Sequence, residues 1–196
     1  MNLRVELAER SYDVVVQDGA RHALSSTIAE RAPRARCAVV VTTPVLAALP
    51  WCEVETGVDQ HRLLVPDGEG AKTFSALHDL LDAFAELRLS RDDVVVALGG
   101  GALTDVVGFA AAVYLRGVGV VQVPTSLVGQ VDAAIGGKTG INLRAGKNLV
   151  GSFHQPLGVL CDTSVLASLP ERERRSGLGE VAKCWILEGR DVESLG

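Results

Sequence analysis

The chain has 196 residues, of which 47% are hydrophobic and 22% charged, and its formal net charge is −5. That length carries one α/β domain with a full core, or a domain plus part of a second, and the composition is globular. The acidic balance and an aromatic content of 4% argue against a nucleic-acid partner, which would need a basic face and base-stacking platforms.

The start, Met1 to Glu6, is alternating and charged, so no leader peptide is expected. No apolar run reaches the length of a membrane span, which predicts a cytoplasmic protein with no membrane partner. Cys37, Cys52, Cys161 and Cys184 form no C-x-x-C pair, and Cys37 and Cys161 sit in apolar runs. Buried, reduced thiols are therefore expected rather than two disulfides.

Leu3, Val5 and Leu7, then Tyr12, Val14 and Val16, alternate with polar residues and predict two half-buried strands. Residues 19–31 read as a helix. The run from Cys37 to Val41 suits a strand buried on both faces. Pro44 fits the first turn of a further helix, and His61 to Val65 reads as a weaker strand. After the turn Pro66 to Thr73, Phe74, Leu77, Leu80, Leu81, Phe84 and Leu87 recur at helical spacing, with Thr73 as the N-cap. A strand over 94–98, a glycine turn and a helix over 102–115 follow, with Gly117 as the stop. Residues 118–124 and 159–161 read as strands. Glu171 and Glu173, after Pro170, mark the acidic first turn of another helix. Residues 188–196 carry no stop signal. Strands alternating with helices predict an α/β fold, a mostly parallel sheet with helices on both faces.

The chemistry concentrates in glycine-rich segments. Gly99-Gly100-Gly101 joins a strand to a helix, with Asp105 about one turn into that helix. Glycines there let backbone N–H groups approach a phosphate, and the helix N-terminus adds positive potential. The usual dinucleotide fingerprint needs glycine at position 104, which is Thr104, so this is a variant phosphate cradle. Gly136-Gly137-Lys138-Thr139 suggests a P-loop, but the required earlier glycine is Asp132. Asp132, Lys138, Asn142, Lys147 and Asn148 instead interleave with Gly136, Gly137, Gly140 and Gly146, a set suited to a polyol phosphate. Thr125 and Ser126 end a strand where parallel sheets bind ligands. Glu180 and Lys183, three apart on a helix, read alone as a surface ion pair. His154 reads as a packed or locally bonded residue, and His22, His61 and His78 lack metal-ligand spacing.

Together these segments resemble the 3-dehydroquinate synthase family of sugar-phosphate cyclases. The resemblance runs from Asp67 to Lys183 through Gly99-Gly100-Gly101-Ala-Leu-Thr-Asp105, Tyr114-Leu115-Arg116-Gly117 and Pro124-Thr125-Ser126. It continues through Asp132-Ala-Ala-Ile-Gly136-Gly137-Lys138, Gly146-Lys147-Asn148 and Glu180-Val181-Ala182-Lys183. It implies a Rossmann-like NAD-binding domain over 1–168 and the beginning of a helical domain over 169–196. The implied reaction converts the seven-carbon sugar phosphate DAHP to 3-dehydroquinate with loss of phosphate. NAD is the recycled oxidant, a divalent metal (zinc or cobalt) holds the reacting hydroxyls, and the family works as a homodimer.

The resemblance implies NAD contacts at Glu69, Lys72, Gly100, Gly101, Asp105, Thr125, Ser126, Asp132, Lys138, Lys147, Ser168 and Leu169. It implies substrate contacts at Arg116, Lys147, Asn148 and Lys183, with Arg116 reaching across a dimer interface. Lys138, Asp132, Lys183 and Asn148 would act in catalysis, and Glu180 would be the metal ligand. Two departures stand out. The family's ribose-binding Asp-x-Asn is replaced by Thr42-Thr43-Pro44. The family's C-terminal helical domain, with two histidine metal ligands, is missing from this chain, so no cyclase activity is expected from it alone. An exposed docking face should then make it poorly soluble or self-associating. The alternatives are an aminodehydroquinate synthase or other secondary-metabolic cyclase, a non-catalytic NAD-binding remnant, and an unrelated phosphate-binding module.

Overall fold

The computed structural model describes residues 1–190. The expected second unit, 169–196, therefore ends with six residues outside the described ones. Nine strands are present among the described residues: β1 (Asn2–Val5), β2 (Tyr12–Gln17), β3 (Cys37–Thr42), β4 (Asp59–Leu64), β5 (Val94–Gly99), β6 (Gly119–Pro124), β7 (Lys138–Leu143), β8 (Gly146–Phe153) and β9 (Gly158–Asp162). The α-helices are α1 (Leu24–Arg31), α2 (Pro44–Ala47), α3 (Phe74–Glu86), α4 (Gly101–Val113) and α5 (Glu171–Leu187). Seven strands form one sheet in the order β1-β2-β9-β6-β5-β3-β4, and β7 and β8 form a separate hairpin. Only β1 runs antiparallel to its neighbour in the large sheet.

Helices cover both faces, as the alternation of elements predicts, because the central strands are apolar on both sides. In β5, Val95 and Ala97 face one core with Leu80 and Phe84 of α3 and Val106, Val107 and Ala110 of α4. Val94, Val96 and Leu98 face the other core with Leu24 and Ile28 of α1. Full burial of a valine or leucine is worth about 1.5–3 kcal/mol, so these two layers hold the strand ends in a fixed frame.

Several boundaries differ from expectation. The helix expected over 19–31 opens as a 3₁₀ turn, Ala20–Ala23, and is α-helical only from Leu24. The first strand is an exposed edge: Leu3 is exposed and Leu7 lies outside it. The helix expected over 102–115 ends at Val113, because Leu115 (φ 48°) and Arg116 (φ 65°) turn left-handed before Gly117. Thr73 caps α3 as expected, its side chain accepting from the Ala76 N–H. All four cysteines are free; Cys52 and Cys161 are buried, Cys37 is half-buried and Cys184 is exposed. Burial pushes the Cys161 thiol up to about 12, so it behaves as a packing group.

The hairpin packs on the outer face of α4, which explains why that helix is apolar all round. A Cβ at Gly108 of α4 would stand 2.6 Å from the Thr139 side chain of β7, so helix and hairpin meet backbone to side chain. Ile141 of β7 is fully buried in the α3–α4 core.

Candidate functional site

The strand order reverses between β3 and β5. From β3 the chain moves outward to β4, and from β5 it moves the other way, to β6. Such a switch point opens a crevice at the carboxyl ends of the strands. Here it is a cleft of about 1180 Å³, lined by Thr43 after β3 and by Gly100 after β5.

The glycine turn forms one wall. Gly100 is the N-cap of α4 and contributes no side-chain cap, so the first-turn N–H groups are open to an anion. A Cβ at Gly101 would lie 3.0 Å from the Ala133 Cβ, so a side chain there presses on the neighbouring turn of residues 129–133. The Thr125 N–H donates to the Gly99 carbonyl at 2.9 Å, and the Ser126 hydroxyl accepts from the Gly129 N–H at 3.2 Å. These bonds lead into a π-helical turn, Gly129–Ala133, a rare geometry that recurs at functional sites. That turn carries Asp132, which pairs with Lys138 of β7 at 2.6 Å.

The opposite wall centres on Lys72, which is only 2% exposed. Its Nζ lies 2.5 Å from Asp105 Oδ2 and also donates to Asn148 Oδ1. Burial pushes the Asp105 carboxyl above its ordinary value, against the pull of Lys72 and Lys138. At Glu69, burial pushes upward too, but the hydrogen bond from Asn142 and the charges of Lys72 and Lys147 outweigh it. Its carboxyl is held below the ordinary value. Lys147 Nζ stands 3.4 Å from Glu69 Oε2.

Glu69, Lys72, Gly100, Gly101, Asp105, Thr125, Ser126, Asp132, Lys138, Asn148, Ser168 and Leu169 all line this one cleft. Lys147 reaches it through Glu69. Glu180 and Lys183 pair with each other on α5, outside the lining, and the hydrogen bond that Lys183 donates to Glu180 raises the Lys183 ammonium above its usual value. Arg116 is not in the cleft. It follows the far end of α4, a 13-residue helix about 20 Å long, so it is remote from Gly101 of its own chain.

At the β3 end, both hydroxyls are engaged locally. Thr43 Oγ1 accepts from the Leu46 N–H at 3.3 Å, and Thr42 Oγ1 lies 3.7 Å from Cys52 Sγ. The wall beside them is apolar, built from Val45, Leu46, Leu49 and Trp51. Trp51 escaped the sequence reading because its neighbourhood carries no periodicity. Asn142 was legible only as one polar residue of a glycine-rich segment. Among the described residues, no group of three His, Cys, Asp or Glu side chains stands close enough to hold a metal ion. Glu180 alone does not make a catalytic metal centre, which normally takes three protein ligands. No described helix is long and apolar enough to cross a membrane.

Comparisons with known proteins bear on the family and the fold. A family model described as 3-dehydroquinate synthase N-terminal matches residues 62–176. An Amycolatopsis mediterranei (strain S699) protein named "Putative aminodehydroquinate synthase" is 52% identical over 188 residues, 96% of this chain and 52% of its own. A 3-dehydroquinate synthase of Cutibacterium acnes is 46% identical over 189 residues, 96% of this chain and 50% of its own. A solved 2-epi-5-epi-valiolone synthase from Streptomyces hygroscopicus subsp. jinggangensis, with NAD+ and Zn2+ bound, is 34% identical. It superposes with a TM-score of 0.74 over 91% of this chain and 50% of that one. The chain thus spans about half the length of the curated relatives it matches. By the family match over 62–176, the chain belongs to the 3-dehydroquinate synthase family and corresponds to its N-terminal part.

Proposed function

We propose that this chain is the NAD-binding portion of a 3-dehydroquinate synthase, which converts DAHP to 3-dehydroquinate with loss of phosphate. The observation that carries the reading is the uncapped N-terminus of α4 at the switch-point cleft, facing the Lys72, Asp105 and Asn148 cluster. The dinucleotide pyrophosphate would sit on the Gly100 and Gly101 N–H groups. Glu69 and Asp105 would accept from ribose hydroxyls, and Lys72 would keep both carboxylate walls close. Bound NAD supplies a hydride acceptor that acidifies the neighbouring C–H and so permits phosphate to leave.

Lys138, joined to Asp132 at the open side of the cleft, would hold the substrate's polar groups, and Asn148 would orient a hydroxyl. Of the metal ligands that the family resemblance implies, the described residues include Glu180 alone, and no group of three donors is assembled among them. Residues from 169 onward, including α5, begin the second domain in this reading. Turnover then needs that domain, a second copy to bring Arg116, and the cytoplasmic setting of a biosynthetic enzyme.

The test is calorimetric titration of the chain with NAD+, paired with phosphate release from DAHP in the presence of Zn2+. Saturable NAD+ binding that Gly101→Val weakens supports the reading. No binding up to about 1 mM, the upper end of common substrate constants, overturns it. NAD+ binding without phosphate release is the outcome expected of this chain alone. The second reading, an aminodehydroquinate synthase, is favoured by the 52% identity to the Amycolatopsis protein. Supplying the complementary half and comparing DAHP with its amino analogue separates the two.

A further inference from the structure

We propose that Asn142 is the positioning residue that sets the two sides of the cleft at their working distance. The inference rests on the NAD-binding reading and adds a role to a residue that neither the sequence resemblance nor the comparisons assign. Asn142 sits on β7 and makes three hydrogen bonds to two other segments, the turn of Glu69 and Lys72 and the start of β8. Its backbone N–H donates to the Lys72 carbonyl at 2.9 Å. Its Nδ2 donates to Glu69 Oε2 at 2.8 Å, and its Oδ1 accepts from the Asn148 N–H at 2.9 Å.

Each partner then carries its own cleft contact. Asn148 is held at φ 57°, a left-handed conformation that an asparagine tolerates and a satisfied N–H stabilises. In that conformation its Oδ1 receives Lys72 Nζ. Glu69 Oε2 faces Lys147 as well as Asn142. The carboxamide thus bridges the Gly68–Ala71 turn and the β8 segment through both of its ends, beside the Lys147–Glu69 ion pair and the Lys72–Asn148 hydrogen bond that join the same segments. It donates on one side and accepts on the other, which the two ends of a carboxamide do at any pH and an ionised carboxylate does not.

This requirement separates a positioning role from plain packing. Asn142→Asp keeps nearly the same shape and still accepts from Asn148, but it sets a carboxylate against Glu69. Lys72, Lys147 and Asp105 are the other charged groups facing Glu69. At neutral pH two carboxylates repel there. At acid pH they share a proton, and a donor to Glu69 returns.

The experiment measures NAD+ affinity by calorimetry from pH 8 to pH 5.5 for the wild type, Asn142→Asp and Asn142→Ala, with thermal melts as the control for folding. The expected result is a loss of about tenfold or more in both variants at pH 8, the size of one lost charge-assisted hydrogen bond. The Asp variant alone should recover toward the wild-type value as pH falls. Equal affinity in all three proteins, or a loss in Asn142→Asp that ignores pH, overturns the positioning role. If the wild type itself fails to bind NAD+, the functional reading fails, and the positioning role is then decided by NMR. It requires faster exchange of the Asn148 amide and a raised Glu69 titration in Asn142→Ala; unchanged values overturn it.

Discussion

Lys72 and Asp105 form an ion pair, Nζ to Oδ2 at 2.5 Å, in which the lysine is much the more buried partner, 3% exposed against 17%. The pair joins the segment before α3 to the first turns of α4, so it braces the wall of the cleft as well as furnishing it. The asymmetry in burial predicts an asymmetry in mutation. Asp105→Asn leaves an ammonium enclosed without a counter-charge and should destabilise the fold by about 3 kcal/mol. Lys72→Met should destabilise it less, because it keeps the aliphatic stem and because burial already raises Asp105 toward its neutral form. Urea unfolding of both variants at pH 7 checks this, and the reverse order of stability refutes it.

Asp162 predicts the acid limit of the fold. It is buried at the end of β9, accepts from the Gly19 and Ser164 N–H groups at 2.9 and 3.0 Å, and pairs with Arg21. Burial pushes its carboxyl up, but these donors outweigh burial and hold it below the ordinary value. A lowered folded-state value gives stability that is present above the unfolded value, about 3.9, and is lost as pH falls through the folded value. The wild type should therefore weaken below about pH 4. Asp162→Asn should be less stable by about 3 kcal/mol at pH 7 and should show a shallower acid decline. An acid decline as steep as the wild type's would sink this account.

Lys138 and Asp132 predict the opposite separation. Their side chains are 53% and 37% exposed, so the 2.6 Å pair is a solvated one. Lys138→Ala should change stability by less than about 1 kcal/mol. If Lys138 serves the ligand rather than the fold, NAD+ affinity or turnover in the assembled enzyme should still drop. A loss of stability with unchanged ligand behaviour would assign the pair to structure instead.

The metal expectation is testable on the same protein. Glu180 is the one family-implied ligand in the described chain, and no three-residue donor group surrounds it. Titration with Co2+ should give no d–d absorption band of an ordered site, and Glu180→Gln should leave the spectrum unchanged. A saturable band would show that the donor set is larger than Glu180.

What was legible in the sequence is what local pattern controls. β3, β5 and β6 announce themselves as short apolar runs because both their faces are covered. α3 shows its one buried face, and Thr73 marks its start. The cradle was legible because three consecutive glycines have few other uses at a strand–helix turn. The β7–β8 hairpin was not, because Lys138 to Phe153 has no clean alternation and its strands are held by α4. The π-helical turn that carries Asp132 is likewise tied down by a bond that no local pattern announces, Gln130 of the turn donating to the carbonyl of Asp162, which is distant in sequence. Asn142 could be seen as polar, but its three partners exist only once the hairpin has docked.

The hairpin's own geometry supplies the last prediction. Gly140 and Gly151 face each other across β7 and β8. A Cβ on Gly151 would stand 1.9 Å from the Thr139 carbonyl oxygen, and one on Gly140 would stand 2.6 Å from the Val150 carbonyl oxygen. Backbone atoms cannot rotate away as a side chain can, so Gly151→Ala must separate the strands. The loss should reach about 2 kcal/mol or more. It should also be local, because the large sheet does not hydrogen-bond to the hairpin. Hydrogen exchange should therefore show lost protection in β7 and β8 with β5 and β6 unchanged. Lys138 and Asn148 ride on those two strands, so NAD+ affinity should fall with the hairpin's protection, and intact protection in Gly151→Ala would contradict the tight pairing itself.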